Sequence, residues 1–222
     1  MGVKLFLVRH GQTQWNLEGR YQGDRDIELT PIGVSQGELA SRYLSNVNFS
    51  NIYSSPLKRA LDTANLLNNG RGKEIIIKEN LKEINFGKWE GLKFAQINDK
   101  YHDDYQNWLE DPFGNPPTEG EDFGSFIGRT SNEISNIVQE NKDRSNVAIA
   151  THGGVIIALL VHWLRIPKSR WRSLIQRQGA INVAVIHEGF PYVSLVNYTG
   201  HLHDVYDESD DKVIEIYSKI KK

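Results

Sequence analysis

A chain of 222 residues with 39% hydrophobic and 24% charged side chains is long enough to bury a sizeable core and has an ordinary soluble composition. A formal net charge of −2 gives no global positive field, which argues against nucleic acid or an anionic membrane surface as partner. The absence of cysteine excludes disulfides, thiolate nucleophiles and cysteine-based zinc sites together, and fits a reducing, cytoplasmic setting.

Met1-Gly2-Val3-Lys4-Leu5 opens the chain without the apolar core of a signal peptide. Residues 4–8 form a short apolar run that predicts a buried strand, ending in Arg9-His10-Gly11-Gln12-Thr13. Thr30-Pro31 reads as an N-cap with proline at the first helical position, and Ile32, Gln36, Leu39, Ala40, Tyr43, Leu44 and Val47 follow at helical spacing. A second strand is predicted over 51–54. Ser55-Pro56 repeats the cap-plus-proline signal and should open a helix running to about Leu67. Residues 74–77, rich in β-branched side chains, predict a third strand.

From residue 86 to 121 the chain turns aromatic and is punctuated by proline and glycine, which predicts short helices in a lobe beside the sheet. Within it Trp89, Tyr101, Tyr105 and Trp108 read first as core. Phe123, Phe126, Ile127, Ile134, Ile137 and Val138 predict a longer amphipathic helix. A fourth strand over 146–150 ends in Thr151-His152-Gly153-Gly154, and the apolar run 155–161, far short of the roughly 20 residues of a membrane span, reads as a buried helix in which His162 is packed or at an interface. Residues 180–186 and 192–196 predict a closing pair of strands, and the charged tail from Asp207 a terminal helix or partial disorder.

Strands alternating with helices indicate an α/β fold with a largely parallel sheet, whose ligands bind beyond the carboxyl ends of the strands. Two of these strands end in a histidine-glycine pair, His10-Gly11 and His152-Gly153, which should share one sheet edge.

Four segments carry the chemistry: Leu7-Val8-Arg9-His10-Gly11-Gln12-Thr13 with Asn16; Ser54-Ser55-Pro56-Leu57-Lys58-Arg59-Ala60; Leu81-Lys82-Glu83-Ile84-Asn85-Phe86-Gly87-Lys88-Trp89-Glu90-Gly91; and Ala150-Thr151-His152-Gly153-Gly154. In this order, at strand or helix ends, they resemble the histidine phosphatase superfamily, also called phosphoglycerate mutase-like, from about residue 3 to residue 200. Gln12 departs from the glutamate usual in the family, at a position that does not bear the phosphate. The resemblance implies a three-layer α/β/α sandwich, one domain over 1–222 with a small helical lobe inserted at about 86–121, and phosphomonoester hydrolysis through a phosphohistidine on His10.

Residue types fit that chemistry. A phosphoryl group spreads negative charge over three oxygens, and the forked, always-charged guanidinium matches it; Arg9 and Arg59 take that part, Arg59 in the first turn of its helix. By resemblance His10 is the nucleophile, its other ring nitrogen fixed as a donor. His152, protonated against a dianion, donates to the phosphoryl oxygens. Asn16 and the Gly153 N–H add donors, and Gln22-Gly23 resembles a second phosphate-contacting pair. Glu83 protonates the leaving oxygen and then activates water, which requires a carboxyl whose pKa is raised by burial beside the phosphate. The arginines and histidines supply the charge that kinases take from magnesium, so no metal or other cofactor is expected.

Phe86-Gly87-Lys88-Trp89-Glu90-Gly91 after Glu83 resembles the phosphatase branch rather than the mutase branch, and the aromatic lobe predicts a hydrophobic mouth. Residues 111–123, together with Asn197, Gly200, His201 and Leu202, resemble α-ribazole phosphatases of cobalamin synthesis. The expected partner is a small-molecule phosphate ester, with α-ribazole 5'-phosphate the leading candidate. A phosphoglycerate mutase and a non-catalytic phospho-ligand module stay as alternatives, and the Trp171 region, read as exposed, leaves a homodimer open.

Overall fold

The computed structural model describes residues 2–203 and residue 205; the tail from Asp207 lies outside the described residues. Six strands, β1 (Val3–Arg9), β2 (Phe49–Ser54), β3 (Ile75–Ile77), β4 (Asn146–Thr151), β5 (Ile181–His187) and β6 (Phe190–Tyr198), form one sheet in the order β3-β2-β4-β1-β5-β6. The first four strands in this order run parallel, while β5 and β6 close the sheet as antiparallel partners.

Burial on both faces explains the unbroken apolar run of β1. Leu5 and Leu7 join one core cluster, with Tyr53, Val147 and Ile149, while Phe6 and Val8 join the other, with Ile52, Ala148 and Ala150. Over the first face lie α6 (Phe123–Glu140) and α7 (Gly153–Trp163); over the second lie α2 (Pro31–Tyr43) and α3 (Lys58–Asn68). A short helix, α1 (Gln14–Glu18), follows β1. Residues 86–121 hold a 3₁₀ turn at Gly87–Trp89, then α4 (Phe94–Lys100) and α5 (His102–Glu110). Trp89, Ile97, Tyr105 and Leu109 are fully buried there.

Four expectations change. In α2 the buried residues are Gly33, Gln36, Gly37 and Ala40, whereas Ile32 and Tyr43 are exposed. Small residues face inward because the helix lies backbone to backbone on the loop after β1: a Cβ on Gly11 would meet the Gly33 carbonyl oxygen at 2.2 Å. Secondly, α3 begins at Lys58 with Leu57 as N-cap and no side-chain cap, because the Ser55 hydroxyl is engaged elsewhere. Finally, His162 on α7 is exposed, and Trp171 is buried against Trp108 and Phe123 rather than exposed.

Candidate active site

Strand register brings the two histidine-glycine pairs together. β1 and β4 are parallel neighbours with Arg9 opposite Thr151, so the next residues, His10 and His152, leave the sheet side by side, their ring centroids 5.2 Å apart. The His10 N–H donates to the Thr151 carbonyl at 2.9 Å. From the other flank, Arg9 N–H donates to the Ala180 carbonyl at 3.0 Å and Gly179 N–H to the His10 carbonyl at 3.2 Å. The nucleophile candidate is thus held by backbone on both sides.

His10 is buried, and its Nδ1 lies 2.7 Å from the Gly11 carbonyl oxygen. A carbonyl only accepts, so Nδ1 carries the proton and Nε2 keeps its lone pair. That lone pair accepts from Arg59 Nε–H at 3.3 Å. Burial first, then the Arg59 and Arg9 charges, hold the imidazole pKa well below its ordinary value against the opposing pull of the Gly11 carbonyl. The outcome is a neutral imidazole with a free nitrogen against a guanidinium, the state a nucleophile toward phosphorus requires.

Arg59 is fully buried in the first turn of α3. Its remaining nitrogens donate to the Arg25 carbonyl at 2.6 Å and the Gly23 carbonyl at 2.8 Å. Burial lowers its pKa to about 10, with Glu83 and then Asp26 opposing that fall, so it stays charged at neutral pH. Arg9 donates to the Gln176 carbonyl. Glu90 holds the 23–25 loop from below: it accepts from Asp24 N–H at 3.0 Å and from Phe86 N–H at 3.2 Å, and pairs with Arg25 at 3.1 Å.

His152 is fully buried, with Nε2 2.8 Å from Ser55 Oγ. Ser55 Oγ also accepts from Leu57 N–H at 3.3 Å and can meet Nε2 with either its proton or its second lone pair. The other ring nitrogen, Nδ1, is buried without a hydrogen-bond partner among the described residues. An orphan polar atom beside the nucleophile suits a ligand oxygen. The sequence reading has His152 protonated; burial, then Arg59, His10 and Arg9, keep its pKa well below the ordinary value.

Glu83 approaches from the loop after β3. Its carboxylate accepts from Ile84 N–H and Gly154 N–H, each at 3.0 Å. A Cβ on Gly154 would lie 2.1 Å from Glu83 Oε1, so this glycine is needed for the approach. Asn16 Oδ1 accepts from Thr13 N–H and Thr13 Oγ–H, both at 3.0 Å, turning its amide nitrogen to other use. Gln22 Oε1 lies 3.0 Å from Thr13 Oγ. Gln12 lies outside the site: its Oε1 accepts from Thr30 Oγ–H at 2.8 Å, beside the α2 N-cap.

A cleft of about 260 Å³ joins these groups. Arg9, His10, Asn16, Gln22, Gly23, Arg59, Glu83, Gly153 and Gly154 line its polar end. Phe86, Trp108, Phe123, Ile157, Trp171 and Leu174 form an apolar wall. Sequence reading thus found every one of its candidates at the cleft except His152, which lies behind the surface. It did not find Ser55 or Glu90 as working residues, although both sit inside the quoted segments, nor Gln176 and Gln178, which line the cleft from a loop that carries no motif. Trp108, read as core, belongs to both core and wall. Among the described residues no group of three histidine or acidic side chains is placed to hold a metal ion.

Comparison with known proteins agrees with this geometry. The model of the histidine phosphatase superfamily (branch 1) matches residues 5–199. Phosphoserine phosphatase 1 of Hydrogenobacter thermophilus is 30% identical over 93% of this chain and 98% of its own length. Adenosylcobalamin/alpha-ribazole phosphatase of Salmonella typhimurium is 32% identical over 88% of this chain and 96% of its own. Among solved structures, Bacillus stearothermophilus YhfR superposes with a TM-score of 0.86 at 29% identity, covering 90% of this chain and all of that one. By sequence, fold and site geometry, the chain belongs to the histidine phosphatase superfamily.

Proposed function

We propose that this protein is a metal-independent phosphomonoesterase that works through a phosphohistidine on His10 and takes a small organic phosphate with a bulky, flat leaving group. The observation that carries the reading is the His10 ring: Nδ1 tied to the Gly11 carbonyl and Nε2 unprotonated, accepting from Arg59 in the cleft. In the first step Nε2 attacks phosphorus, an N–P bond forms as the ester P–O bond breaks, and the Glu83 proton passes to the leaving oxygen. In the second, Glu83 takes a proton from water, the water oxygen attacks phosphorus, the N–P bond breaks and inorganic phosphate leaves. Arg9, Arg59, His152 Nδ1, Asn16 and the Gly153 N–H stabilise the charge on the phosphoryl oxygens; Gln22 and Gly23 shape the loop that Arg59 holds.

The aromatic wall supports α-ribazole 5'-phosphate as the specific substrate, since Phe86, Trp108, Phe123 and Trp171 offer a flat base apolar surface to cover. Phosphoserine, by contrast, would leave that wall uncovered. Hydrolysis of an aryl phosphate in EDTA by wild type and His10→Ala tests the mechanism: turnover by wild type and none by the variant supports it, and activity that needs a divalent metal or survives the substitution refutes it. A panel of α-ribazole phosphate, phosphoserine and sugar phosphates tests the leaving group. Equal or better kcat/KM on sugar phosphates removes the specific assignment. Conversion of 3-phosphoglycerate without hydrolysis would indicate a mutase, and phosphate binding without any turnover a binding module.

A further inference from the structure

We propose that Arg129 is the positioning residue of the acid–base group, a guanidinium that holds the Glu83 loop by its backbone so that the carboxylate stays at the cleft. Arg129 lies on α6, on the far side of that loop from the phosphate pocket, and is not a wall of the cleft. Its five N–H groups are all used. Nε and Nη2 bind the two Glu121 carboxylate oxygens at 2.6 and 2.8 Å. Nη1 donates to the Asn80 carbonyl at 2.8 Å and the Lys82 carbonyl at 2.9 Å, and Nη2 also donates to the Glu83 carbonyl at 3.0 Å.

The carbonyl left out, that of Leu81, accepts from Thr151 Oγ–H at 3.0 Å. Four successive carbonyls, from residue 80 to 83, are therefore satisfied by side chains from α6 and β4 rather than by a helix or strand of their own. The segment carries no long regular element, only a 3₁₀ turn at Glu79–Leu81, so nothing within it fixes the direction of Glu83. Glu121 completes the clamp: its N–H donates to the Asn85 carbonyl at 2.9 Å, and its side chain takes both the guanidinium and, at 3.4 Å, the Asn85 N–H.

Arginine is needed here because only a planar fork reaches two carboxylate oxygens and three carbonyls at once; an ammonium has three donors radiating from one point. A group that delivers a proton loses rate steeply when displaced by about 1 Å. Removing the fork frees the 80–83 backbone, and the loss falls on proton transfer rather than on phosphate binding, since Arg9, Arg59 and His10 are held by other contacts.

This inference rests on Glu83 as the general acid, and the experiment separates the two. kcat/KM is measured for wild type, Arg129→Gln, Arg129→Lys and Glu83→Gln on two esters: 4-nitrophenyl phosphate, whose leaving group needs no proton, and an alkyl phosphate, whose leaving group does. Inhibition by inorganic phosphate is measured beside them. For Glu83→Gln the alkyl ester should lose about 100-fold or more and the aryl ester much less. Both Arg129 variants should repeat that asymmetry in weaker form, about 10-fold or more on the alkyl ester, with the phosphate inhibition constant changed less than about twofold. If Arg129→Gln fails to fold, Arg129→Lys, which keeps the charge opposite Glu121, carries the test. Asymmetry in Glu83→Gln but equal losses, or none, in the Arg129 variants overturns the positioning role alone. No asymmetry in Glu83→Gln overturns the acid assignment and with it this inference.

Discussion

His10 and His152 show how one cluster of charges sets the state of a site before ligand arrives. Both rings are buried beside Arg59, and both are held well below the ordinary histidine pKa. In the free protein their ring NMR signals should therefore show no titration between pH 8 and about 6, where an exposed histidine would titrate. Saturating inorganic phosphate brings negative charge against His152 Nδ1 and should move its titration upward; an unchanged His152 would mean that this donor does not meet the phosphate. Ser55 belongs to the same scale. By meeting Nε2 at 2.8 Å it fixes the His152 ring, so Ser55→Ala should lower kcat about 10-fold or more and change the melting temperature little. Retained kcat in the variant would show that the ring is held otherwise. Sequence marked His10, His152 and Arg59 because they fall in segments that together, in order, resemble one family. It did not mark Ser55, whose hydroxyl looks like an N-cap until the chain path turns it to His152.

At the scale of elements, the site is assembled from termini: the ends of β1, β2 and β4, the first turns of α3 and α7, and the loops that close over them. The α2 helix supports this from outside through two glycines. A Cβ on Gly33 would lie 2.1 Å from the Gln12 carbonyl oxygen, so Gly33→Ala must push apart the loop that carries the Gly11 carbonyl and with it the His10 proton. Overpacking of this kind costs about 1–3 kcal/mol. The expected outcome is a lower melting temperature together with reduced kcat; unchanged activity would mean that the loop relaxes without moving His10. The 23–25 loop depends on Glu90, whose carboxylate is nearly buried. Removing it in Glu90→Ala strands the Asp24 and Phe86 N–H groups and should raise KM for any ester several-fold, because the Gly23 carbonyl that orients Arg59 is released. The inward face of α2 was not legible by periodicity: hydrophobic spacing put Ile32 and Tyr43 inside, but backbone contact at Gly11 and Gly33 rotates the helix so that its small residues face the loop.

For the whole molecule, burying neutral histidines links the site to stability. His10, His152 and also His201, whose pKa is lowered to about 4 by burial, all have folded values below the unfolded one. The unfolded chain then binds more protons as pH falls, so stability is fully present above about pH 6.5 and declines below it. Melting temperature should fall steadily between pH 7 and 5, before the carboxylates titrate, and His201→Gln should make that decline shallower. A flat profile over this window would show that these rings charge freely in the fold.

The linear chain by itself determined the α/β class, the strands that matter and the candidate site residues, because strand ends and helix starts are local properties and four ordered segments resemble one family. Register, side-chain direction and loop support were decided only in three dimensions. That Arg9 lies opposite Thr151, that Ser55 meets His152, that Glu83 meets the start of α7 and that Arg129 binds three carbonyls of the 80–83 segment in one fork all join residues dozens of positions apart. Contacts of that kind depend on how the layers pack, and no pattern of spacing along one segment encodes them.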